Sequence, residues 1–304
     1  GVIPAFFVIR LGLGACSAPI FPTCGTMSAN WLSPNKRALV WGMIPAGAPL
    51  GAALSPLLFS WMIGRYGWRS SFFQAAVATT VLALAWVWYV RDHPAEHPSV
   101  GPLTSRLLIG ECDPAPPTRS GKTPWRQLLA DRNLVLLTFG YLTVGYFENV
   151  FYYWVYYYFG TIRGMSGAQT AAGTTAIFLT VTAMTPLGGW ISDCLGDRYG
   201  RKVGRRLVPL VALVSGALLV YLGTLSVSPN MAVILFSLAL GLVGATEGPF
   251  WASAIDLGGR EVGTSCGIMN TGANVGGFLG PLLTPMIASF AGWSWALHFG
   301  CAVV

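Results

Sequence analysis

The sequence predicts an all-α, membrane-spanning protein built on a duplicated helical unit. Three observations carry this reading. Of 304 residues, 54% are hydrophobic and 10% are charged, against roughly 25% charged in an ordinary soluble domain. The apolar residues gather into segments near the roughly 20 residues that a bilayer-spanning helix needs. Finally, Gly42, Gly47, Gly51, Pro56, Leu57, Gly67 and Trp68 return without a gap 225 positions later, as Gly267, Gly272, Gly276, Pro281, Leu282, Gly292 and Trp293.

In chain order, the apolar segments fall at 1–29, 38–63 and 71–90, then at 134–160, 168–192, 207–225, 231–254 and 263–290, and a ninth begins at Trp293. Between the two groups lies a polar stretch whose prolines, Pro94, Pro98, Pro102, Pro114, Pro116 and Pro117, oppose regular structure as far as the Trp125-Arg-Gln-Leu-Leu run. The expected organisation is therefore a bundle over 1–90, a central linker over 91–133 and a second bundle over 134–304. Gly14, Ala15 and Pro19 also match Gly244, Ala245 and Pro249 at an offset of 230, so the first, second and third segments pair with the seventh, eighth and ninth. Two equal halves would then require three helices before Gly1 and most of a last helix after Val304. The expected parent has twelve helices in two pseudo-symmetric bundles of six, the first of them partial here. Gly1 opens inside an apolar segment with no Met, basic stretch or cleavage site ahead of it, which reads as a truncated start.

The formal charge of +7 does not point to nucleic acid, because the basic residues sort by loop. Lys36 and Arg37, the six from Arg91 to Arg132, the five from Arg198 to Arg206, and Arg260 fall on one side under simple alternation. Arg65, Arg69 and Arg163 fall on the other. The positive-inside rule makes the rich side, and with it the linker, cytoplasmic. Cys16, Cys24, Cys112, Cys194, Cys266 and Cys301 show no metal or redox spacing and read as structural. His93, His97 and His298 have no partner at ligand spacing. Neither a metal nor an organic cofactor is expected.

Gly47 and Gly51 in the second segment, and Gly272, Gly276 and Gly280 in the eighth, lie four apart. Each stripe permits close helix packing, static or sliding. A duplicated bundle of Gly/Pro-interrupted apolar helices is the mark of a secondary transporter with its site between the halves.

The run Gly188-Gly-Trp-Ile-Ser-Asp193, followed by Asp197-Arg-Tyr-Gly-Arg-Lys202, resembles the cytoplasmic loop motif of the major facilitator superfamily. Arg10-Leu-Gly-Leu-Gly14 is similar to the Arg-bearing fourth helix of that superfamily, and the Gly-rich second segment to its fifth. Ala18-Pro-Ile-Phe-Pro22, Asn30-Trp31 before Lys36-Arg37, Pro249-Phe-Trp251 and Gly267-Ile-Met-Asn270-Thr-Gly-Ala-Asn274 together resemble the anion:cation symporter family. That family includes carriers of hexuronate, glucarate and related sugar acids, and of organic anions and phosphate. The resemblance implies the two-bundle fold and symport of a small carboxylate with H+ or Na+ by alternating access. It further implies a monomer in a bacterial inner membrane, with gating at Gly189, Asp193, Arg198 and Arg201. Asp193 is expected to face the start of a helix near Val262. Two departures stand out. Ser17 occupies the place where many members carry Glu, and Trp154 is followed by Val155 and tyrosines rather than Leu-Pro.

Within the apolar segments a few polar side chains could carry function. Arg10 is costly in lipid and should face the bundle interior, as a helix brace or as the group that attracts an anion. Glu148 and Glu247 lack a basic residue at helical spacing, so either could load and release a proton as its access to water changes; in the repeat, Glu247 stands opposite Ser17. Tyr146, Asn149 and Tyr153, and Asn270 with Asn274, sit at helical spacing and suit a polar cavity, while Trp251 could stack on a substrate. The alternatives for these are inter-helix hydrogen bonds and packing. No Ser/His/Asp cluster, phosphate loop or zinc spacing argues for an enzyme. A transporter-fold sensor remains the rival reading.

Overall fold

The computed structural model describes residues 2–101 and 125–304, and all regular structure among them is helical. The elements are α1 (Val2–Ser17), α2 (Ile20–Trp31), α3 (Arg37–Tyr89), α4 (Trp125–Ala130), α5 (Arg132–Tyr157), α6 (Gly167–Tyr199), α7 (Arg201–Leu225), α8 (Pro229–Gly244), α9 (Glu247–Gly258), α10 (Val262–Ala291) and α11 (Trp293–Val303). Most of the expected linker, with Cys112 and the prolines from 102 to 117, lies outside the described residues. Seven helical runs among them are long and apolar enough to cross a membrane. Large apolar side chains such as Phe7, Leu57 and Val87 face outward, as a bilayer solvent allows and water does not.

Two expected segments, 38–63 and 71–90, merge into the 53 residues of α3. A straight helix of that length would run about 80 Å at 1.5 Å per residue, far beyond a hydrocarbon core of roughly 30 Å. Gly67 resolves this with φ 75° and ψ 160°, a conformation open only to glycine. The rings of Phe59 and Phe72 consequently meet at 5.4 Å, although a straight helix would hold them about 20 Å apart. Gly292, its partner in the repeat, adopts φ 90° and ψ 163° between α10 and α11. The sequence duplication is thus also a duplication of backbone geometry.

Both paired helices are also interrupted, at points three residues apart on the 230-residue offset. Ala18 and Pro19 separate α1 from α2, and Ala245 and Thr246 separate α8 from α9. Pro19, Ala245 and Thr246 keep backbone angles in the right-handed helical region, so each break is a short turn, and Glu247 is the first residue after the second one.

The two parts of the chain meet where small residues let backbones approach. A side chain on Gly189 of α6 or Gly248 of α9 would strike the carbonyl oxygen of Ala38 at the start of α3, and one on Gly42 would lie 2.6 Å from the carbonyl oxygen of Thr185. Across the other contact, between α2 and α10, Gly25 faces Cys266 and Gly263 faces Thr26. The glycine stripes behave unequally. Gly272, Gly276 and Gly280 pack on the backbone of α5 at Thr138, Leu142 and Tyr146, whereas nothing among the described residues lies within 4 Å of a side chain built at Gly47 or Gly51.

Candidate functional site

A cavity of about 250 Å³ opens between α2 and α3 on one side and α5, α6, α9 and α10 on the other. Phe21, Pro45 and Pro49 form the first wall. Opposite stand Tyr141, Glu148, Asn149 and Tyr152 of α5, Thr185 of α6, Glu247 and Trp251 of α9, and Asn270 and Asn274 of α10. No Lys, Arg or His is among these lining residues.

The α5 wall follows from helix geometry. At about 100° per residue, Tyr141, Glu148 and Tyr152 point in nearly one direction and Asn149 sits at the edge of that face. The paired asparagines of α10 are one turn apart. Their amides partly bond their own helices, Asn149 Nδ2 donating to Gly145 O at 2.9 Å and Asn274 Nδ2 to Asn270 O at 2.8 Å.

Glu247 has the most developed surroundings. It is buried and lies in the first turn of α9, where the helix dipole favours a negative group. Its Oε2 accepts the Tyr141 hydroxyl at 2.8 Å and the Trp251 indole N–H at 3.2 Å, and that N–H also reaches Tyr141 Oη at 2.8 Å. Glu148 has no hydrogen-bond partner among the described residues. Trp251 in turn stacks on Trp41 of α3, with ring centroids 4.3 Å apart and planes 7° apart, and tilts against Phe21 of α2 at 5.7 Å.

Of the residues expected at a substrate site, the cavity collects Asn149, Trp251, Asn270 and Asn274 together with Glu148 and Glu247. It does not collect Arg10, Tyr146 or Tyr153. Arg10 sits on an exposed face of α1 with its guanidinium 5.1 Å above the Phe6 ring. Tyr146 turns away from the cavity, is buried, and packs edge-on against Phe299. Tyr153 is 67% exposed on the outer surface of α5. Tyr141 and Tyr152, which the sequence reading left out, belong instead; their spacing of 7 before and 4 after Glu148 was the available clue.

A second cluster closes the end of the cleft that bears the basic loops. Asp193, buried near the end of α6, accepts the backbone N–H of Leu39 at 2.7 Å and that of Ala38 at 3.4 Å. It also pairs with Arg205 at 2.7 Å. Arg205 donates further to Ser192 Oγ and Pro34 O, and Asp256 bridges Arg37 at 2.8 Å and Arg205 at 3.7 Å. The helix start that Asp193 faces is therefore that of α3, not the one near Val262: the short distance between backbones allowed by Gly189 places α3 there. Gly189 and Asp193 thus lie at this contact, but Arg198 and Arg201 do not enter the network. Arg198 lies over Tyr199, and both arginines are exposed. The cations that do take part are Arg37 and Arg205. Asp193 is seven residues before Gly200 and Arg205 five after it, so the reversal at Gly200 sets them side by side.

Comparison with known proteins finds relatives that align along nearly the whole chain. The chain is 26% identical over 284 residues to the probable sulfoacetate transporter of Cupriavidus necator, covering 93% of this chain and 66% of that protein. It is 26% identical over 292 residues to the hexuronate transporter of Bacillus subtilis, covering 95% and 67%. It is 22% identical over 299 residues to the chloroplastic ascorbate transporter of Arabidopsis thaliana, covering 96% and 54%. The chain thus spans about two thirds or less of the length of these curated relatives. With the sequence pattern of the Major Facilitator Superfamily matched over residues 1–258, on the helical, duplicated architecture described above, the chain belongs to that superfamily.

Proposed function

We propose that the protein is a secondary active carrier of small organic anions, carboxylates and sulfonates among them, driven by a co-transported H+ or Na+ and working by alternating access. The observation that carries this reading is the charge of the cavity wall: Glu148 and Glu247 with no basic residue among the described lining. An anion arriving at about 4 Å from an ionised carboxylate would be repelled by about 4 kcal/mol at an effective dielectric near 20. A bound proton or cation that neutralises a carboxylate would remove this repulsion, and the acidic wall supports symport in that way. The names of the relatives, sulfoacetate, hexuronate and ascorbate transporters, support the anionic class.

In this reading the Asp193–Arg205 and Arg37–Asp256 cluster holds the cytoplasmic end shut, and its separation admits the substrate to the cell. The linker and the loop around Lys202 are then cytoplasmic. The experiment is a counterflow screen of the full-length protein in proteoliposomes with labelled glucuronate and sulfoacetate. Exchange of either across the membrane, enhanced by an inward proton or sodium gradient, supports the carrier. Specific binding of an anion with no flux under any gradient would make the protein a sensor on a transporter fold and overturn the proposal.

A further inference from the structure

The hydrogen bonds around Glu247 continue without interruption into the contact between the two parts of the chain. Tyr141 and Trp251 both donate to the same carboxylate oxygen, and Trp251 is the residue that α2 and α3 grip through Phe21 and Trp41. We propose that Tyr141 and Trp251 are positioning residues that transmit the charge on Glu247 to the closure between the halves, by fixing the indole of Trp251 in the plane that stacks on Trp41. This inference rests on Glu247 being the proton site of the proposed carrier.

The physical steps are local. An ionised carboxylate accepts charge-assisted hydrogen bonds, which are short and roughly twice as strong as neutral ones. With Glu247 ionised, the N–H of Trp251 is held between two acceptors, at 2.8 and 3.2 Å. The ring then has one orientation, and the parallel stack at 7° follows. Protonation gives the carboxyl an O–H donor beside its remaining acceptor capacity and removes the charge assistance, which leaves Tyr141 Oη as the main acceptor of the indole and loosens the ring's orientation. The Trp41 indole N–H meets no acceptor among the described residues, so on that side the stack is kept by ring contact and orientation alone. Only groups that face Glu247 can compete for this role. From α5 these are Tyr141, Glu148 and Tyr152; from α2, α3, α6 and α10 only uncharged residues face the same cavity, and α7 supplies none. The charged cluster of Arg37, Asp193, Arg205 and Asp256 lies at the far end of α9, Asp256 being nine residues and about 13 Å along it.

The test reads conformation directly, so that it does not depend on knowing the substrate. Spin labels on single cysteines at Lys36 and Arg260, both exposed and on opposite sides of the contact, report its separation in the full-length protein in nanodiscs from pH 5 to pH 8. The wild type should pass from a short to a long separation as pH falls. Glu247→Gln should lose the pH dependence, with its distance distribution weighted toward the long separation at every pH while both separations stay populated. Tyr141→Phe, which removes one donor from the charged form, should move the midpoint to higher pH by about one unit, the size expected for a lost hydrogen bond to a charged group. Trp251→Phe, which keeps a stacking ring but loses the N–H, should flatten the response without unfolding the contact. A wild type insensitive to pH, or a Tyr141→Phe midpoint equal to the wild type with Glu247→Gln flat, overturns the positioning role. A Glu247→Gln variant that still follows pH like the wild type instead removes Glu247 as the proton site, and failure of flux with the pH response intact removes only the carrier reading.

Discussion

Asp193 of α6 accepts the backbone N–H of Leu39 at 2.7 Å, so the helix that begins the inter-half contact is capped by a carboxylate from the other part of the chain. A cap that belongs to a different bundle is lost whenever the bundles separate. Its counter-ion is shared in the same way, since Arg205 binds Asp193 within its own half and Pro34 O across the contact.

Asp193→Asn should therefore keep substrate binding while impairing the conformational cycle. Asn can still accept a backbone N–H, but it leaves buried Arg205 with only Asp256, at 3.7 Å, as a carboxylate partner, and losing one partner of a buried pair costs up to about 3–5 kcal/mol. Transport by the variant should fall at least about tenfold, the equivalent of about 1.4 kcal/mol, with equilibrium binding of a transported anion little changed. Wild-type flux in Asp193→Asn would show that the cluster does not govern closure.

Gly189→Ala and Gly51→Ala should differ sharply, although both glycines stand in helical segments of similar composition. The new methyl at 189 meets the carbonyl oxygen of Ala38, while at 51 it meets nothing among the described residues. Backbone cannot yield as a side chain can, so Gly189→Ala should hold the start of α3 and the end of α6 apart and raise the reactivity of a cysteine placed at Leu39. Gly51→Ala should leave that reactivity unchanged. Equal labelling in the two variants would contradict the packing described for α3 and α6.

Much of this arrangement is legible in the sequence wherever it rests on a breaking residue or on charge. Gly67 and Gly292 announce equivalent reversals because each stands before a Trp at the same repeat position, and their backbone angles agree. Facing is harder to read. A helix that is apolar all round carries little periodic signal, so the sequence reading selects Tyr146 and Tyr153 and omits Tyr141, from which they lie about 140° and 120° round the helix. Likewise the stripes at Gly47 and Gly272 are the same in spacing, and only the presence of α5 beside α10 separates their roles. The partner of Asp193 was misjudged because a helix N-terminus is attractive wherever it lies, and sequence does not say which one is within reach.

The orientation deduced from the basic loops has its own test. Single cysteines at Arg126 and Lys202 should resist a membrane-impermeant maleimide in intact cells, while one at Gly164 should react; all three positions are exposed. After permeabilisation all three should label. Reaction at Lys202 in intact cells would invert the topology and, with it, the direction in which the Asp193 cluster opens.

Glu247 and Glu148 face the same cavity with different partners, and the difference separates their roles. Glu247 has two donors on one oxygen, one of them the Trp251 that stacks on Trp41, whereas Glu148 has no hydrogen-bond donor among the described residues. If protonation of Glu247 removes the repulsion that bars the anion, Glu247→Gln mimics the loaded form permanently. The anion should then still exchange at equal pH on both sides, because exchange needs no net proton movement. Accumulation driven by a pH gradient should vanish, since no proton is carried with the anion and the gradient does no work on it. In the wild type, uptake should rise as the external pH falls, because lower pH fills the site on the side from which the anion enters. Glu148→Gln should preserve gradient-driven accumulation, with a change in anion affinity as its main effect. Measured in proteoliposomes with glucuronate or whichever anion the counterflow screen identifies, the reverse pattern, accumulation kept in Glu247→Gln and lost in Glu148→Gln, would assign the proton to Glu148 and leave Glu247 as a hydrogen-bonded brace for Trp251.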